Sequence, residues 1–183
     1  TAREEGNPGC PGNGGEGDGA QIRSGRSRSS ATVRCMSLDA PVSQEQIHQF
    51  LHKNGIQGKD QLVTLVQCVA SIPWGEARTV AEVLDQNKGT CTGKHLLLQQ
   101  CFEVLGIPFR SVVCTFRWEK QSIAFPEHLR GLLKMYSWEH GHNFVQIQGE
   151  GNRWIDVDVT WDSTLFPYGF RTFPKDWDGK TSF

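Results

Sequence analysis

No stretch of this 183-residue sequence approaches the roughly 20 consecutive apolar residues that a helix needs to cross a bilayer, so no membrane-spanning helix is expected. Nor is there an excess of either charge. Lys and Arg number 19 against 20 Asp and Glu, a formal net charge of -1, which argues against a nucleic-acid binder held by phosphate contacts. Cysteine is sparse, with six residues and no CxxC spacing in a chain long enough to build its own core, so a disulfide-framed scaffold is not expected. Aromatic residues are missing altogether from residues 1–35, a stretch that holds 8 of the 20 glycines. Residues 1–37 lack the apolar area to offset their ordering entropy and read as a disordered leader; residues 38–183 read as one folded domain.

The sequence does not open on Met, and two readings of the leader stay open. Residues 1–36 are either a fragment end or translated leader, or the end of an organellar transit peptide, which the Arg- and Ser-rich, acid-free stretch Gln21 to Met36 favours and the four acidic residues before it disfavour. There is no hydrophobic segment of the kind that opens a secretory signal. A reducing, cytoplasmic setting is therefore expected, or a plastid or mitochondrion if the transit reading holds.

What is present is a change of period. Ser43 to Asn54 reads as a helix, with Ser43 and Gln46 as a capping box. Lys59 to Ser71 and Thr79 to Asp85 follow as two more, and Gln86-Asn87-Lys88-Gly89 breaks the chain. Thr90 to Leu105 then carries Leu97, Leu98, Cys101, Val104 and Leu105 as an apolar stripe, closed by Gly106 and Pro108. After it the period falls to 2. Phe109 to Trp118, Phe144 to Ile147 and Trp154 to Thr160 read as strands, with an inserted helix at Glu127 to Tyr136. Trp161 to Phe183 is expected to pack over a sheet edge without regular structure. Helices first and an antiparallel sheet after is an α+β order.

One cysteine stands apart. Cys68, Cys101 and Cys114 fall on apolar faces and read as small buried hydrophobes. Cys91 follows Gly89 and Thr90 at a helix start, where free N–H groups and the positive end of the dipole favour a thiolate and can hold an oxyanion. A thiol nucleophile also needs a base and a group to orient it. The two strands around Gly149-Glu150-Gly151 supply both. If Val145 and Ile147 share a face with Ile155, Val157 and Val159, the parity of the pairing is set, and a three-residue loop places Val145 opposite Ile155. The same register places His142 opposite Asp158 on the other face, an imidazole and carboxylate pair that suits a general base. Asp156 would lie across from Phe144 as a solvated or structural carboxylate.

Gly89-Thr90-Cys91-Thr92-Gly93-Lys94 leading a helix that ends Leu105-Gly106-Ile107-Pro108-Phe109-Arg110, then His142-Asn143-Phe144-Val145 and Trp154-Ile155-Asp156-Val157-Asp158-Val159-Thr160, resembles the transglutaminase-like superfamily over roughly Arg78 to Asp162. The resemblance implies a papain-like core with Cys91 as nucleophile, His142 as base and Asp158 as orienter. It departs from the family pattern at Phe144, where Trp is commoner, and at Val159, where Pro often follows the Asp. The resemblance implies acyl transfer from an amide or peptide bond of a peptide or protein substrate, with hydrolysis favoured over transamidation because no residue marks a site for a second amine. No metal or organic cofactor is implied. A non-catalytic peptide-binding module of the same fold is the alternative reading.

Other residues have competing readings. Cys91, His95 and the His140-Gly141-His142 pair could be imagined around a metal, but no second thiolate supports that set. His140 is a possible alternative base. Lys94 could support the thiolate or bind substrate, although a solvated lysine is the plainer reading. His48, His52 and His128 read as surface residues, and Trp74, Trp118, Trp138 and Trp161 as core or groove wall.

Overall fold

The computed structural model describes residues 42–136 and 138–183. The leader and the first residues of the expected domain lie outside the described residues. Ser43 caps α1 (Gln44–Lys53), and its reciprocal bonds with Gln46 form the capping box that the spacing predicts. A 3₁₀ turn at Lys59–Gln61 leads into α2 (Leu62–Ala70). Thr79 and Glu82 make a second capping box ahead of α3 (Val80–Gln86), and Asn87 ends that helix in the left-handed region. Thr90 caps α4 (Cys91–Leu105) by accepting from the Gly93 amide, and Gly106 closes it at φ +64.

α4 is the centre of the core. Leu97, Leu98, Cys101 and Phe102 are wholly buried on it, against Val145 and Ile147 of the sheet and against Leu65, Val66 and Val69 of α2. Gly93 lets the first turn of α4 approach its neighbours. A Cβ there would fall inside contact distance of the Ala77 carbonyl oxygen and 2.7 Å from Val83 Cγ2, and neither the backbone nor a buried valine yields cheaply. Gly93→Ala is therefore expected to destabilise the fold by about 2–3 kcal/mol. Urea midpoints of the two forms measure it, and an unchanged midpoint would contradict this packing.

The sheet is β1 (Phe109–Arg117), β2 (Glu139–Gln148) and β3 (Trp154–Val157), antiparallel in that order, with α5 (Glu127–Met135) inserted between β1 and β2. Three strand expectations need correction, the first being that β3 ends at Val157 rather than Thr160. β2 begins at Glu139 rather than Phe144, because β1 pairs with it along its whole length, from Phe109 with Ile147 to Arg117 with Glu139. Its polar start escapes the alternation test because that end faces the site and not the core. The β2–β3 register is also displaced by two residues from the expected one: Val145 pairs with Val157 and Ile147 with Ile155. The connection is longer than three residues. Residues 149–153 join the strands through a 3₁₀ turn at Glu150–Asn152, with Gly151 and Asn152 at positive φ and the Gly149 amide donating to the Arg153 carbonyl at 2.8 Å. A two-residue shift leaves parity intact, so Val145, Ile147, Ile155 and Val157 still share the buried face. Asp156 consequently lies opposite Gln146, whose Nε2 donates to it, and not opposite Phe144.

The closing segment covers the outer edge of β3. The Phe183 amide donates to the Asp156 carbonyl, the Asp158 amide donates to the Phe183 carbonyl, and the Asp156 amide donates to Ser182 Oγ. It contains one short 3₁₀ turn, Ser163–Tyr168, where none is expected. Among the described residues no helix is long and apolar enough to cross a membrane.

Candidate active site

The Cys91 thiol stands at the first residue of α4, where Trp74 pairs with Gly89 and the Thr90 amide donates to the Ala77 carbonyl to fix the incoming loop. His142 comes from β2. Its Nε2 meets Asp158 Oδ2 at 2.8 Å, which leaves Nδ1 as the ring nitrogen that can serve the Cys91 thiol, and the ring and the thiol shift each other's titration. Asp158 lies just past the end of β3, diagonal to His142 in the ladder. Of its two oxygens, Oδ2 serves His142 while Oδ1 accepts from the Thr160 amide at 3.0 Å and from Thr160 Oγ1 at 2.6 Å. An aspartate that caps its own second neighbour in this way holds its carboxylate in one orientation.

The electrostatics follow from those contacts. Burial pushes the Cys91 thiol up, but the hydrogen bond and charge of His142, the Asn143 amide and the Thr92 hydroxyl outweigh it and hold the thiol below its ordinary value. Burial works against the charged His142 ring as well. The bonds to Asp158 and Cys91 overcome it and carry the ring up to about 10. Desolvation would raise the Asp158 carboxyl, yet His142, the nearby His95 and Thr160 bring it down to about 2. Each of these directions favours the ion pair, a thiolate beside an imidazolium backed by a carboxylate, over the neutral pair.

Several residues that the sequence reading passed over shape this site. The Asn143 amide helps to lower the Cys91 thiol, and the Asn143 side chain accepts from Thr92 Oγ1 at 3.3 Å, tying β2 to the start of α4. Thr160 was visible in the Asp-x-Thr spacing, which is a turn signal in its own right. Asp162 is buried, and its Oδ2 accepts from the Trp74 amide at 2.7 Å. An arc of aromatic rings starts at His142. From His142 it runs through Phe116 at 5.9 Å between ring centres to Trp118 at 4.7 Å, then Trp161 at 6.3 Å and Trp74 at 5.8 Å. Trp74 ends the arc with 44% of its surface exposed. Trp138 is exposed on the inserted segment and takes no place in it.

Other candidates resolve differently. His140 is exposed and packs on Phe116 and Trp118, while the Asp158 bond belongs to His142. Cys101 is wholly buried, but Cys68 and Cys114 are only half-buried, and Cys114 sits opposite His142 in the β1–β2 ladder. The plain reading of Lys94 as solvated is overturned: its relative exposure is 0%, and its Nζ donates to three backbone carbonyls. His95 is also fully buried, and backbone groups occupy both ring nitrogens, which takes it out of any metal set. Among the described residues no group of three or more His, Cys, Asp or Glu could hold a metal ion. His48, His52 and His128 are exposed.

Burial pulls His95 down to about 4, against the attraction of Asp158, from an ordinary value of 6.5. The unfolded chain therefore binds the extra proton between those two values, and stability falls as pH drops through that window. The expected loss is about 3 kcal/mol. Denaturant titrations from neutral pH down to about pH 4 should show the loss in the natural chain and a shallower one in His95→Gln. Equal slopes would contradict the assignment.

Residues 59–159, rather more than half of the chain, match the family described as the transglutaminase-like superfamily. The match begins earlier than Arg78 and takes in α2. Among solved structures, one titled "Crystal structure of a TGase" is similar at 16% identity and a TM-score of 0.41, over 68% of this chain and 34% of that one. The similarity thus spans about a third of that protein's own length. A search of curated proteins returns no match. With a family match over most of the helical layer and through the Asp158 turn, the chain belongs to the transglutaminase-like superfamily.

Proposed function

We propose that this protein is a thiol acyl-transfer enzyme acting on an amide or peptide bond, with Cys91 as nucleophile, His142 as acid and base, and Asp158 as orienter. The observation that carries it is one imidazole bonded to a carboxylate that its own turn fixes, with a thiol at a helix N-terminus lowered by that same ring. The thiolate attacks the carbonyl carbon, and the negative charge that develops on oxygen falls beside the first amides of α4. The Gly93 amide is taken by Thr90, which leaves those of Cys91 and Thr92 for this role. His142 then gives its Nδ1 proton to the leaving amine, and the acyl group stays on sulfur as a thioester. Water, deprotonated by the same nitrogen, attacks the thioester and releases the acid.

Water is the acceptor we favour because it needs only the base already in place, whereas an amine needs a second binding site. The aromatic arc gives the substrate an apolar wall, which suits a peptide or protein segment with a flat or apolar side chain next to the reacting amide. An activated acyl ester and a panel of peptides, each quenched in acid after brief exposure, test the scheme. The expected result is an acyl mass on the peptide containing Cys91 that decays to free acid. Decay only when an amine is added would move the reaction to transamidation. Saturable peptide binding with no adduct would favour the non-catalytic binding module.

A further inference from the structure

Lys94 and His95 are consecutive, wholly buried and polar, and the chemistry above uses neither. Each reaches the turn that carries Asp158. The Lys94 ammonium donates to the Thr160 carbonyl at 3.2 Å and to the Ala70 and Ile72 carbonyls at 3.1 and 2.7 Å. Asp158 and Asp162 add attraction at longer range, while its contacts are all with main-chain oxygens. The His95 ring is fixed by partners that leave one tautomer. A carbonyl can only accept, so Nδ1–H donates to the Cys91 carbonyl at 2.7 Å; an amide can only donate, so Nε2 accepts from Val159 N–H at 3.1 Å. That ring therefore links the residue bearing the thiol directly to the residue after Asp158, with Asp158 Oδ1 3.6 Å from Nε2.

We infer that Lys94 and His95 are positioning residues: together they clamp the Val159–Thr160 backbone to the first turn of α4, and so set where the Asp158 carboxylate stands relative to Cys91 and His142. The need for such a clamp follows from the sheet. β3 ends at Val157, so Asp158 lies beyond the last ladder pair, where the Val159 amide and the Thr160 carbonyl are bonded by these two side chains. An ammonium buried among carbonyls and a neutral imidazole are costly to bury unless fully bonded, and these two are bonded to main-chain groups from three separate parts of the chain. A misplacement of about 1 Å at such a site costs a large factor in rate even when the reacting groups are all present.

The inference rests on the proposed thiol chemistry for one of its two readouts and not for the other. The full chain is compared with His95→Leu, His95→Gln and Lys94→Met. Amide hydrogen exchange at Val159 and Thr160 reads the clamp, and alkylation of Cys91 by iodoacetamide at about pH 6 reads its effect on the thiol. His95→Leu and Lys94→Met should each speed exchange at both amides and slow alkylation by about tenfold or more. His95→Gln, which keeps one donor and one acceptor, should recover both to within about threefold of the natural chain. Folded Leu and Met variants with unchanged alkylation would overturn the proposal. So would alkylation lost in His95→Gln while the amides stay protected, since the ring would then act on the thiol by its own chemistry. If the Leu and Met variants do not fold, His95→Gln decides by the same criteria. Failure of all three to fold assigns the pair to stability alone and also overturns it. A natural chain whose Cys91 is not reactive at this pH refutes the proposed function instead, and the exchange data alone then decide the clamp.

Discussion

Cys91→Ala should abolish turnover of an amide substrate, with a loss on the order of 10⁴–10⁶-fold and no loss of fold. The size follows from the chemistry, because the His142 ring lowers the Cys91 thiol while burial raises those of Cys68 and Cys101. Cys114 is the near neighbour, opposite His142 in the ladder, but it comes from the middle of β1 and has no helix N-terminus behind it. The fold should survive since Cys91 is only half-buried and α4 is capped by Thr90. Residual activity above the uncatalysed rate would then report the helix amides and the aromatic wall alone. Activity within a few-fold of the natural chain would remove Cys91 from the mechanism.

His142→Ala should be nearly as damaging, by about 10³–10⁵-fold, and for two separable reasons. It removes the proton donor for the leaving amine. It also removes the largest of the influences that lower the thiol, leaving burial to push Cys91 up. The pH dependence distinguishes the two losses. In the natural chain the thiol should react well below an ordinary value of 9.0, while in His142→Ala its reactivity should appear only near or above that value. If only the donor role mattered, raising the pH would restore nothing to alkylation, because alkylation has no leaving amine. An alkylation profile identical in the two forms would contradict the ion pair.

Much of this site was legible in the chain, and the limits have physical causes. Gly89 and Thr90 before Cys91 mark a helix start, and a thiol at that point lies in the field of the first amides whatever the rest of the fold does. The alternation of Val145, Ile147, Ile155 and Val157 determines which residues share a face, because period 2 permits only even shifts. It does not determine the shift itself. Gly149 and Gly151 admit a three-residue loop as well as the longer turn that forms, so the pairing of Val145 differs from the expected one by two residues. His142 and Asp158 nevertheless meet, since an imidazole reaches a diagonal partner on the same face.

Lys94 and His95 were illegible for a different reason. A helical pattern reads a lysine as solvated, and nothing local predicts that carbonyls of Ala70, Ile72 and Thr160 converge on one ammonium. The aromatic arc is similar. Phe116, Trp118, Trp161 and Trp74 come from a strand, the turn that follows it and two separate loops, and their order along the arc is a property of the tertiary fold.

The most direct test of the account is the rate of Cys91 alkylation by iodoacetamide as a function of pH in the natural chain, followed by mass spectrometry of the Cys91 peptide. The expected profile stays high at about pH 6, far below the titration of an ordinary thiol, and Asp158→Ala weakens it by loosening His142. A profile that rises only near the ordinary thiol value, with no difference in the variant, would contradict the thiolate and imidazolium pair.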